Sequence, residues 1–109
     1  MKLTLLALSL ALTTSHALAA DPGAAALTTI GEVNGIALAC QQPAIVSRAR
    51  NAVATTAPKT RANGEIFEEA SNASFLDFGN SQKTCPDTAT LVKRLNDAEQ
   101  SLSAAFAAK

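Results

Sequence analysis

Two cysteines, a cluster of three glutamates, a run of basic residues and one histidine are the side chains of this 109-residue chain with a capacity for chemistry. Cys40 and Cys85 are its two thiols, and they lack the C-x-x-C spacing of a redox or metal pair. An intramolecular disulfide is the expected state in an oxidising compartment, with a covalent dimer through one cysteine as the rival. In the chain-entropy account, closing a loop of roughly 45 residues contributes about 4 kcal/mol. For a small domain that is a large share of total stability.

Glu65, Glu68 and Glu69 fall at i, i+3 and i+4 and share a helix face. Carboxylates so placed suit a metal site, but no loop supplies the spaced acids of a calcium site and no histidine accompanies them. A solvated face is the expectation, with no metal and no cofactor. Arg48, Arg50, Lys59 and Arg61 lie in a stretch without acids, whereas residues 65–78 carry Glu65, Glu68, Glu69 and Asp77 without a base. Two readings follow. The basic stretch pairs with helix three inside the molecule, or Arg48, Arg50, Lys59 and Arg61 present a patch to an acidic partner or phosphate. Arg48 and Arg50 are two residues apart and cannot share a helix face. The G-x-S-x-G elbow, the S-x-x-K pair and glycine-rich phosphate loops are all missing from residues 20–109.

The lone histidine, His16, belongs to a segment with the layout of a secretory signal. Lys2 gives the positive end, residues 3–12 a short apolar run, and Ala17-Leu18-Ala19 a small-x-small cleavage pattern. Residues 1–19 are therefore expected to be a cleaved signal peptide and 20–109 a single domain. The run is too short to span a bilayer, which takes about 20 residues. Removing Lys2 from nine basic residues leaves eight against nine acids, a net charge of −1. Removal of the segment also takes His16 and Met1, and with no Trp or Tyr present the remaining chain lacks all four residue types. Such a chain cannot build a Ser-His-Asp triad or an imidazole metal site, so no enzyme activity is expected. Near-neutral charge and 4% aromatic residues also argue against nucleic-acid binding.

Hydrophobic periodicity predicts the elements that hold these groups. A first helix spans about 24–40, opened by Asp21-Pro22, with Ala26, Ile30, Val33, Ala37 and Cys40 on one stripe. Gly31 and Gly35, four apart, add a strip where another backbone can approach closely. A second helix runs from Pro43 to about residue 57, with Ile45, Ala49, Ala52 and Thr56 inward, and Pro58 stops it. Residues 55–64 read as a loop with Asn63-Gly64 as its turn. A third helix is expected over 65–78, facing inward with Phe67, Ser71, Ser74, Phe75 and Phe78. The fourth starts after Cys85-Pro86-Asp87 and carries Leu91, Leu95, Ala98, Leu102 and Ala105 at steps of four and three.

The result is an all-α fold, a small up-down bundle of about four helices braced by one disulfide. In that topology the end of helix one and the start of helix four share one end, which brings Cys40 and Cys85 within bridging range. In size and two-cysteine plan the chain resembles acid-stress periplasmic chaperones and secretion pilotins. No residue motif carries that likeness, and no site is transferred from it. The functional expectation is an exported, periplasmic accessory or binding protein whose partner is another envelope or secreted protein. Gly31, Gly35, Phe67, Phe75 and Phe78, with Arg48, Lys59 and Arg61, are the candidate contact residues. A periplasmic stress chaperone and a carrier of a small apolar ligand are the alternatives.

Overall fold

The structure, a computed structural model, describes residues 21–107. The expected signal segment and its cleavage site lie outside the described residues. Four helices follow in order: α1 Pro22–Ala39, α2 Pro43–Thr56, α3 Arg61–Asn80 and α4 Thr88–Phe106. They alternate in direction. Phe106 at the end of α4 meets Gly23 at the start of α1, and Gln42 at the start of α2 lies by Thr88 at the start of α4.

Helix starts are set by local chemistry. Asp21 caps α1 by accepting from the Gly23 N–H at 3.0 Å, with Pro22 in the first turn, where no backbone N–H is needed. Asp87 caps α4 by accepting from the Thr90 N–H at 2.7 Å. Helix α3 begins at Arg61, four residues before the expected start, so Asn63-Gly64 is helical and not a turn. The cause is Thr60, whose hydroxyl oxygen accepts from the Asn63 N–H at 3.2 Å, while the Asn63 amide donates to the Pro58 carbonyl at 2.9 Å. No glycine has a positive φ among the described residues, so Gly64 supplies none of the freedom a turn would need.

Helix α1 is the centre of the molecule. It packs against α2, α3 and α4, and its buried residues cover most of its circumference: Leu27, Ile30, Val33 and Ala37, but also Gly31, Asn34, Gly35 and Ile36, with Ala25, Thr28, Thr29 and Glu32 left as the exposed strip. A helix that meets three neighbours must be apolar or side-chain-free over most of its circumference. Opposite it, α2 gives Ile45 and Ala49, and α4 gives Leu91, Leu95, Ala98 and Leu102, completing one core.

The helices do not form a square. Among the described residues α2 packs on α1 and α4, whereas α3 packs on α1 alone. The α1–α3 pair runs parallel. A Cβ built on Gly31 would lie 2.7 Å from the Ala70 Cβ and 2.8 Å from the Phe67 carbonyl oxygen. One on Gly35 would strike the Ser71 carbonyl oxygen and come within 2.9 Å of the Phe75 nitrogen. Only glycine permits this approach. Helix three was expected to lie against helix two; instead the two meet through long side chains, with Arg50 2.9 Å from Glu68 and 5.6 Å from the centre of the Phe67 ring.

Candidate partner-binding surface

The disulfide forms as expected. Cys40 and Cys85 are joined with their Cα atoms 5.7 Å apart, tying the end of α1 to the segment that leads into α4. Cys40 is half-buried and Cys85 exposed. A left-handed residue that is not glycine lies near each half of this bridge: Gln41 (φ 55°) directly after Cys40, and Gln82 (φ 49°) three residues before Cys85. At Gln41 the turn is closed by the Gln42 N–H donating to the Ala37 carbonyl at 2.8 Å. At the other side Lys83 reaches back to Asp77 at 2.7 Å. That ammonium, by hydrogen bond and charge, holds the Asp77 carboxyl below its usual value.

The expected contact residues separate into two groups. Gly31, Gly35 and Phe67 are buried inside the fold. Helix α3 itself occupies the glycine strip, so the strip offers no groove to a partner, and Phe67 lies beneath Arg50. Phe78 is half-buried against the core. Phe75 remains open, at 43% of full exposure, although its spacing had placed it on the inner face.

The basic residues make intramolecular pairs. Arg48 donates to both Glu99 oxygens at 3.1 and 3.2 Å and to Asn96 at 2.9 Å, bonding α2 to α4. Arg61 pairs with Glu65 one turn along α3 at 3.5 Å. Lys59 is exposed, with no ion pair among the described residues. Arg48 and Arg50 point to different helices, so no common basic patch forms. The acidic cluster likewise gathers no metal-binding group of three among the described residues.

Two further residues belong with Phe75. Leu76 is 49% exposed and Leu38 is 41% exposed, the other large apolar side chains left open to water among the described residues. In the α1–α3 register Gly35 is level with Phe75, which puts Leu38, one turn on, beside the last turns of α3. Leu38 also borders an apolar depression of about 390 Å³ with Gln41, Pro43 and Val46. Leu38 and Leu76 were readable in principle, since each is a leucine off the inward stripe of its helix. The three exposed side chains thus lie toward the disulfide end of the bundle, Leu38 on α1 and Phe75 and Leu76 on α3, on helices whose positions are fixed by the α1–α3 seam. A surface of this kind can bind an apolar segment; it carries no nucleophile–base pair.

Compared with known proteins, the chain matches no family model, no curated protein and no solved structure. No described helix is long and apolar enough to cross a membrane.

Proposed function

We propose that this chain is an exported, non-enzymatic accessory or binding protein of the periplasm that acts by contact with another protein. The observation that carries this reading is the group Leu38, Phe75 and Leu76, open to water at one end of a disulfide-braced bundle. Large apolar side chains held open on rigid helices favour burial against a partner, and aromatic anchors often dominate binding energy. The two non-glycine left-handed residues beside the bridge support the same location, because backbone held in a costly conformation tends to accompany functional surfaces. The signal-like segment before Ala20 and the formed disulfide support the oxidising compartment.

The test is a photo-cross-linking residue at position 75, compared with one at position 103 on α4, in cells exporting the protein. A discrete protein adduct from position 75 and none from position 103 is expected. Equal labelling from both positions, or from neither, would count against a contact surface here. Aggregation-prone clients captured in variety after acid or reductant would point to the stress chaperone, and a copurifying apolar small molecule to the carrier. Intact mass of the exported chain should begin at Ala20.

A further inference from the structure

Resting on that reading, we propose that the outward face of α3 receives a basic amphipathic helix from a different protein. Glu65, Glu68/Glu69, Asn72, Phe75/Leu76 and Gly79 recur at steps of three and four, and every one of them is exposed. They form one stripe about 21 Å long. It faces away from α1, the one helix on which α3 packs, and from the rest of the bundle only the Arg50 side chain of α2 reaches it, at Glu68. At Gly79 a Cβ would meet nothing within 4 Å, so that end also admits a close backbone.

The stripe is polarised along its length. Its first half is acidic and its second half apolar. Glu65 and Glu68 are partly neutralised by Arg61 and Arg50, in exposed pairs that an incoming cation can exchange. Glu69 has no ion pair among the described residues. The complementary ligand presents apolar side chains at one end of a helical face and lysine or arginine two turns away.

Other occupants fit less well. A second copy docked in parallel sets carboxylates against carboxylates. Docked antiparallel, it sets Phe75 and Leu76 against Glu65 and Glu69. An offset that joins only the apolar ends buries too little: the exposed parts of three such side chains give roughly 250–300 Å², against about 800 Å² per partner in a stable complex. An anionic lipid surface is repelled by the carboxylates of the stripe.

Two synthetic amphipathic helices about five turns long, with the same leucines and a polar face of lysine or of glutamate, discriminate these cases by fluorescence anisotropy against the disulfide-intact protein. At low salt the lysine peptide is expected to bind at least ~10-fold tighter than the glutamate peptide. Glu69→Lys and Leu76→Asp, both at exposed positions with helicity checked by circular dichroism, should each weaken it about 5-fold or more, and Gln100→Lys on α4 should not. Equal affinity for the two peptides, or indifference to Glu69→Lys, overturns the proposal. So does binding to phosphatidylcholine–phosphatidylglycerol vesicles without peptide, or a concentration-dependent dimer in sedimentation. The adduct from position 75 separates the two levels of inference. A cross-linked segment that is acidic or uncharged overturns the basic helix and leaves the protein-contact reading standing, whereas no adduct overturns both.

Discussion

Asn34 donates to Ser71 at 2.9 Å across the α1–α3 seam, joining two buried side chains where the backbones meet over glycine. The Asn34 Oδ1 is also buried and has no hydrogen-bond partner among the described residues. Apolar contact is indifferent to a slip of one helix along the other; this bond is not, so it fixes which turn of α3 faces Gly31 and Gly35.

Ser71→Ala should therefore cost more than a lost surface hydroxyl. It strands the Asn34 amide in the core, at about 1–3 kcal/mol. Asn34→Leu/Ser71→Ala removes both polar groups while keeping the heavy-atom count at position 34, and should recover most of the loss. Urea unfolding of the two variants and wild type checks this. A double variant no more stable than Ser71→Ala would show that the amide was not what made the single change costly.

The glycines should divide sharply under substitution by alanine. Gly35→Ala drives a methyl into the Ser71 carbonyl oxygen, backbone against backbone, and should cost about 3 kcal/mol or more. Gly64 and Gly79 lie within α3 with open space around the added carbon, so alanine there should stabilise by about 0.5–1 kcal/mol through helix propensity. Thermal unfolding of the three single variants separates the two classes.

Gln41 and Gln82 point the other way. Both adopt left-handed backbone, at φ 55° and 49°, which costs a side-chain-bearing residue about 1–2 kcal/mol. Gln41→Gly and Gln82→Gly should each raise the unfolding midpoint. If the strain serves the surface beside the bridge, the same variants should also weaken adduct formation from position 75.

Acid sensitivity follows from two aspartates. Lys83 holds Asp77 below the usual value of 3.8, and hydrogen bonds from the Thr90 side chain and backbone do the same for Asp87. A carboxyl depressed in the folded state adds stability that is fully present above the unfolded value and is lost as pH falls through the folded one. Stability should thus be level above roughly pH 5 and decline below about pH 4. Asp77→Asn/Asp87→Asn should be less stable near neutrality and should lose less on acidification, as read from midpoints across the pH range.

Much of the fold was legible in the sequence because its signals are local. The steps of Leu91, Leu95, Ala98 and Leu102 name the buried face of α4, and all four are buried. The pairing of Cys40 with Cys85 follows from there being two thiols in a chain read as exported, and the helix directions bring them to one end. What was not legible depends on which helix neighbours which. Spacing gave Gly31 and Gly35 as a strip for close approach, but spacing says nothing about which backbone arrives there. Because α3 fills that strip, the candidate site moved from the inner side of α3 to its outer side. Phe75 changed from inward to exposed, and Leu38 and Leu76 joined it. The Arg48 and Arg50 pairings with Glu99 and Glu68 likewise join separate helices that no local pattern connects.

The central place of α1 has a consequence for how the chain is made. Synthesis delivers this most apolar of the four helices before the other three, yet its burial requires α4, the last of the four. Until residues near 102 have emerged, Leu27, Ile30 and Val33 have no complete core to enter. The nascent polypeptide therefore remains uncommitted until α4 is present, and folding waits for a late helix to close around an early one.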